Sequence, residues 1–174
     1  MQYTQLLGGV IEVMIRDARE DDLPVIVEIY NSAIPGRLAT ADTELVSIDA
    51  RRGWFREHDR ARPLRVLERD QIVAGWLSFE PFYGRPAYAA TAEVSVYVAP
   101  KFHRQGVATA LVAHSLEAAP SLGLSTLLGF IFAHNTPSVA LFNTFGFVEW
   151  GRLPKVAELD GERRDLLILG RQVP

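Results

Sequence analysis

Glu93 stands in the middle of ATAEVSVYV, where Ala92, Val94, Val96 and Val98 fall on one face and Thr91, Glu93, Ser95 and Tyr97 on the other. Period-two alternation of this kind predicts a half-buried strand, here with a carboxylate on its polar face. Pro100 ends the strand, and Lys101, His103, Arg104 and Gln105 then lead directly into GVATALVAHSLEAA, a helix that reads as apolar almost all round and hence largely buried. The first N–H groups of a helix lack internal acceptors. With the helix dipole they attract an anion by about 0.3–1 kcal/mol at exposed sites and about 2 kcal/mol when partly buried. Gly106 and Ala108 keep the backbone bare enough for a phosphate to approach, and His103, Arg104 and Gln105 add side-chain donors. The stretch suits a pyrophosphate cradle, although the same pattern also fits an ordinary helix start. It has neither the GxxxxGK[ST] spacing of a nucleoside triphosphate loop nor the GxGxxG of a dinucleotide fold.

A sheet and helices must place these residues. LPVIVEIYNSA, apolar at 23, 26, 29 and 30, predicts a helix, with Asp21 and Asp22 as acidic residues at its start. IPGRLATADTE is a loop by its Pro, Gly and Thr content, after which Ser47 or Asp49 can cap a second helix through ARRGWFREH. LRVLE and QIVAGWLSFE predict two strands joined at Arg69 and Asp70, and PFYGRPAY a loop. Beyond the long helix, PSLGL is a break, STLLGFIFA a strand, NTPSVALFNTF a short helix with Pro137 near its first turn, and FGFVEWGRL and RRDLLILG two closing strands. This order predicts an α/β or α+β domain with a mixed sheet. No repeat, low-complexity tract or linker divides it, so residues 14–174 read as one domain. Residues 1–13 then form an N-terminal extension, and Met14 is an alternative start.

Composition narrows the chemistry. A chain of 174 residues that is 48% hydrophobic can bury a core of its own. The absence of cysteine excludes disulfides, thiolate nucleophiles and cysteine metal sites, and a reducing cytoplasm is the expected compartment. His58, His103, His114 and His134 show no metal-ligand spacing, so no metal is expected. A net charge of −3 has the wrong sign for a nucleic-acid binder. No apolar run reaches the roughly 18 residues of a membrane span, and the N-terminus lacks the features of an export signal. Small-molecule chemistry is what remains.

The block AEVSVYVAPKFHRQGVATALV, followed by GFIFAHNTPSVALFNTFGF, resembles the coenzyme A-binding core of the GCN5-related N-acetyltransferase superfamily. That superfamily opens its helix with Gln or Arg, two residues, Gly, one residue, then Gly or Ala, and His103, Gly106 and Ala108 take those places. Asn135, Ser138, Leu141, Phe142, Gly146 and Phe147 match its second signature. ATADTELVSIDARRGWF, the strand from Thr91 to Val98 and the segment from Gly161 to Leu166 are similar to the phosphinothricin and L-amino acid N-acyltransferase branch. The likeness runs from Ile15 to Gly170. It implies a twisted, mostly antiparallel sheet, splayed at the acyl-CoA site and flanked by helices. It implies acetyl-CoA as co-substrate, a small-molecule amine as acceptor and a homodimer. By the same resemblance the pantetheine arm pairs with Val96, Tyr97 and Val98 as an added strand would. The diphosphate lies on the turn of His103, Arg104, Gln105, Gly106, Val107, Ala108 and Thr109, and Asn135, Ser138 and Phe142 complete the cofactor side.

Glu93 matches the carboxylate that serves the branch as proton acceptor. The task is a real one, because an amine of pKa about 10.4 costs about 4–5 kcal/mol to deprotonate at pH 7, and an α-amino group near 8 about 1.4 kcal/mol. A positioned base is worth about 10²- to 10⁴-fold. An edge glutamate in an ion pair is the alternative role for Glu93, and His134 is a rival base. Trp54, Trp76 and Trp150 read as core or dimer-contact residues. Phe142 stands where many members carry a tyrosine that protonates the departing thiolate, and Ala89 where close relatives often have an arginine. Arg37 and Arg85 are the loop arginines suited to clamp a substrate carboxylate. The reading is direct acetyl transfer from acetyl-CoA to the primary amine of an amino acid or analogue. A non-catalytic acyl-CoA-binding module, or an acetyltransferase acting on proteins or polyamines, is the alternative.

Overall fold

The computed structural model describes the backbone of residues 2–6 and 9–174, with side chains from residue 13 onward. Among the described residues eight strands form one sheet: β1 (Gln2–Leu6), β2 (Gly9–Asp17), β3 (Leu64–Arg69), β4 (Ile72–Pro81), β5 (Thr91–Val98), β6 (Thr126–Phe132), β7 (Val148–Leu159) and β8 (Glu162–Gln172). Their spatial order is β1-β2-β3-β4-β5-β6-β8-β7. Residues 2–6 and 9–13 thus lie in this sheet as β1 and the first part of β2, and Val13 pairs with Arg69 of β3. The helices are α1 (Leu23–Ala33), α2 (Ile48–Glu57), α3 (Val107–Ala118) and α4 (Thr136–Thr144). Among the described residues no helix is long and apolar enough to cross a membrane.

Local chemistry explains most boundaries. α1 covers the span its apolar spacing predicts, with Pro24 in its first turn. Ser47, rather than Asp49, caps α2, its hydroxyl accepting from the Ala50 N–H at 3.1 Å. β3 and β4 turn through Asp70 and Gln71, both at positive φ, a two-residue hairpin turn whose twist matches the strands. The closing hairpin is longer than the sequence pattern suggests. Pro154 does not end β7, because the strand lies at the sheet edge and its register shifts between Leu153 and Ala157, where a proline is tolerated.

Every strand pairing is antiparallel except β5 with β6, whose crossover connection contains α3. β4 runs buried from Val73 to Phe79, since both faces of the central sheet are covered. One face carries α3 and α4 over Leu77, Val94, Leu111 and Phe147; the other carries α1 and α2 over Ile26, Val66 and Trp76. The expected near-complete burial of α3 is not found. Val107, Leu111, Val112 and Ser115 are buried, while Thr109 and Glu117 are exposed, because the sheet covers only one side of the helix. Two glycines set the helix distances. A Cβ on Gly75 would stand 2.7 Å from the Tyr97 carbonyl oxygen and 3.0 Å from Val107, and one on Gly129 2.9 Å from the Phe142 ring.

Candidate active site

β5 and β6 pair only from Thr91 to Glu93 against Thr126 to Leu128. Beyond Glu93 the two strands part, and a cavity of about 350 Å³ opens between them. From Val94 to Val98, β5 keeps β4 as its one ladder neighbour. Its second edge is free of ladder bonds and can receive an extended ligand as an added strand. Val96 and Tyr97 line the cavity; Val98 is outside its lining, and its carbonyl faces His103 Nε2 at 3.0 Å.

The chain leaves β5 through a short 3₁₀ turn at Pro100–Phe102 and enters α3 at Gly106, whose φ of 80° is left-handed. No side chain caps the helix, and its first backbone bond runs from the Ala110 N–H to the Gly106 carbonyl. The amides of Val107, Ala108 and Thr109 are therefore the donors a bound anion would use. A Cβ on Gly106 would meet no atom within 4 Å, so the space beside these amides is open. Gln105 braces the turn, accepting from Arg69 at 2.9 Å and donating to the Lys101 carbonyl at 2.7 Å. Arg104, at φ 61°, is exposed. His103 and Gln105, which the sequence suggests as phosphate donors, thus have partners within the turn, and the backbone dominates the cradle.

Glu93 sits at the point where the strands separate. Burial first, and the charge of Glu80 second, push its carboxyl from the ordinary 4.5 to about 7. Glu80 is its cross-strand partner on β4, and Trp54 of α2 donates its indole N–H to Glu80 Oε1 at 2.9 Å. A carboxylate poised near neutrality is suited to accept a proton from an incoming amine. Trp54 is therefore a half-buried hydrogen-bond donor behind the site, Trp76 is core, and Trp150 is 48% exposed on β7.

The opposite wall is the loop between α1 and α2. Tyr97 donates to the Ala39 carbonyl at 3.0 Å, and the Tyr30 hydroxyl lies 2.5 Å from Thr40 Oγ1 and 2.6 Å from Asp42 Oδ2. Asn135 caps α4 through the Ser138 N–H at 3.3 Å and donates to the Leu38 carbonyl at 3.1 Å. It lines the cavity with Ser138 and Phe142, but its amide is engaged in holding the loop. His134, the rival base, lies outside the lining with Nε2 at 2.8 Å from the Arg37 carbonyl oxygen. Phe142 is 4% exposed and packs edge-to-face on Phe147 at 4.9 Å.

The two candidate clamp residues stand apart from the cavity. Arg37 is bound to Asp160 at 2.9 Å and to the Thr43 carbonyl at 3.0 Å, and Arg85 is exposed in the loop after β4. Among the described residues the charged side chains lining the cavity are Asp42 and Glu93, both acidic. No group of three or more His, Asp or Glu among them could hold a metal ion. Sequence reasoning misses Glu80, Tyr30, Thr40 and Asp42. Only the strand register exposes the first, and the other three meet through a loop whose path no periodicity encodes.

The comparisons agree with this geometry. The model of the "Acetyltransferase (GNAT) family" matches residues 23–147. The Bacillus subtilis (strain 168) protein "Putative phosphinothricin acetyltransferase YwnH" is 50% identical over 160 residues, covering 91% of this chain and 98% of the relative. The Escherichia coli (strain K12) "L-amino acid N-acyltransferase MnaT" is 31% identical over 160 residues, 91% of this chain and 93% of its own length. The structure of yncA from Salmonella typhimurium with its cofactor acetyl-CoA superposes at a TM-score of 0.87 and 27% identity, covering 94% of this chain and 95% of that one. A family match over most of the chain, together with the strand wedge and the uncapped helix start, places this protein in the GNAT acetyltransferase family.

Proposed function

We propose that this acetyltransferase transfers the acetyl group of acetyl-CoA directly to the primary amine of a small amino acid or amino acid analogue. The observation that carries the reading is Glu93, held near pKa 7 at the mouth of the wedge. The residues fit the co-substrate: the free edge of β5 offers a seat for the pantetheine arm, and the open space at Gly106 offers one for the diphosphate. The relatives' names supply the amino acid class.

In this reading Glu93 takes a proton from the ammonium group, directly or through a water, and the amine nitrogen attacks the thioester carbonyl. The C–S bond breaks as the C–N bond forms, and the second proton that the nitrogen sheds passes to water or to the departing thiolate. Phe142 offers no proton to the sulfur, and a thiol of ordinary pKa near 8.5 leaves as thiolate at small cost around neutrality. The amide product no longer competes for the Glu93 proton.

A second reading has a specific observation behind it. With Asp42 and Glu93 as the charged lining, the cavity also suits a cationic amine that carries no carboxylate. Thiol release across matched pairs, each amino acid against its decarboxylated amine, with mass spectrometry of the product, separates the two. Faster turnover of the acids supports the amino acid reading, and faster turnover of the free amines replaces it with the cationic amine reading.

Assembly and location complete the proposal. Val148, Trp150, Leu153 and Val156 are exposed on β7, an edge strand, and support its use as the pairing face of a homodimer. Light scattering at micromolar concentration should give twice the chain mass, and a monomer would remove the dimer. The cysteine-free sequence suits a reducing cytoplasm.

A further inference from the structure

The proton acceptor does not stand alone. Glu80 and Glu93 are directly opposed residues of the β4–β5 antiparallel pair, so two carboxylates share one patch of sheet, and among the described residues neither forms an ion pair. Like charges facing each other across strands are destabilising. Such a pair persists when one member has a donor that fixes its ionised form and the other can hold a proton. The donor here is the Trp54 indole N–H, 2.9 Å from Glu80 Oε1. Trp54 is itself held by packing on Trp76 at 5.7 Å and His58 at 4.7 Å.

We propose that Glu80, oriented by Trp54, is a positioning residue for the proton-transfer step: its fixed negative charge faces Glu93 across the strand pair and makes Glu93 a holder of the amine's proton. The proposal rests on Glu93 being the base. Glu80 does not touch the substrate in this account and acts only through Glu93.

The surrounding elements leave this relation intact. On α2, burial pulls the His58 imidazole below its usual range, so it is neutral at pH 7 and does not cancel Glu80. On the far wall, burial raises the Tyr97 and Tyr30 phenols, and Asp42 is occupied by Tyr30 at 2.6 Å with Arg51 at 3.4 Å. β6 presents Leu128 as the parallel partner of Glu93. The loop after β4 carries Arg85, which is exposed, and His134 after β6 faces the Arg37 carbonyl. Burial comes first and Glu80 second among the causes that set the Glu93 proton affinity, so removing Glu80 should reduce that affinity without abolishing it.

The test is the pH dependence of kcat/KM, with one amine acceptor and saturating acetyl-CoA, in Glu80→Gln, Glu80→Asp and Glu93→Gln. Glu80→Gln keeps an oxygen for Trp54 and removes the charge; its acid limb should move down by about one pH unit, with acetyl-CoA affinity unchanged by calorimetry. Glu80→Asp keeps the charge and should return the limb toward the wild-type position. A limb that stays in place in Glu80→Gln while Glu93→Gln loses the activity overturns the role of Glu80 alone. A Glu93→Gln enzyme with full activity and an unchanged profile overturns the base on which the proposal stands. Carbon NMR titration of the glutamate carboxyls in the unmutated protein needs no folded variant. A Glu93 step near neutrality is expected, and a Glu93 step in the ordinary carboxylate range would overturn the pair.

Discussion

Replacing Glu93 by Gln should cost the enzyme its rate and give the fold stability at alkaline pH. The folded-state pKa lies near 7, above the 4.5 of an unfolded glutamate, because burial first and Glu80 second oppose the charge. A group raised in this way favours the fold below about pH 4.5 and loses that advantage as pH rises through 7. Counting the full difference, ionised Glu93 costs about 3 kcal/mol at pH 8, and below about 1 kcal/mol at pH 5. Allowing for its partial contact with solvent brings the change between those two pH values to about 1–2 kcal/mol. At about 2–4 °C per kcal/mol for a domain of this size, the Tm of the variant minus that of the wild type should increase by about 2–8 °C between pH 5 and pH 8. Differential scanning calorimetry at matched ionic strength reads this directly. The difference between the two pH values is the informative quantity, since any fixed cost of burying the amide cancels from it. A Tm offset that stays constant from pH 5 to pH 8 would refute the raised pKa and the base-like environment with it.

Two glycines give further outcomes. Gly106→Val places a branched side chain at φ 80°, in the open space beside the first amides of α3. Left-handed strain of about 1–2 kcal/mol should lower Tm modestly, while acetyl-CoA affinity falls at least about tenfold by calorimetry and circular dichroism stays native. Gly75→Ala puts a Cβ 2.7 Å from the Tyr97 carbonyl, so β5 and α3 must move off β4. A loss of about 1–3 kcal/mol in urea unfolding is expected, together with weaker acetyl-CoA binding.

Elements whose instructions are local were legible in the sequence. Ser47 can cap α2 because the bond spans three residues, and α1 declares itself by the spacing of Leu23, Ile26, Ile29 and Tyr30. The alternation around Glu93 places it on the polar face of β5, and Gly106 marks the turn into α3. What the sequence conceals depends on register and on loop path. Glu80 and Glu93 are neighbours only because β4 and β5 pair where they do, and Pro81 against Ala92 is part of the same register. Arg37 looks available in sequence, but Asp160, 123 positions away, binds it. The long β7–β8 hairpin is hidden for another reason: Pro154 signals a break, and the edge position and register shift that tolerate it are three-dimensional facts.

The central claim is direct acetyl transfer at the wedge between β5 and β6, with Glu93 as proton acceptor. The most direct measurement mixes enzyme with stoichiometric acetyl-CoA, first without and then with an amino acid acceptor, and follows both protein and small molecules by mass spectrometry. The account predicts no acetyl adduct on the enzyme before the acceptor is added. After it, one N-acetyl product should form for each thiol released, in the wild type and far more slowly in Glu93→Gln. An acetylated enzyme that is consumed when the acceptor arrives, or a Glu93→Gln enzyme that keeps the wild-type rate, would contradict it.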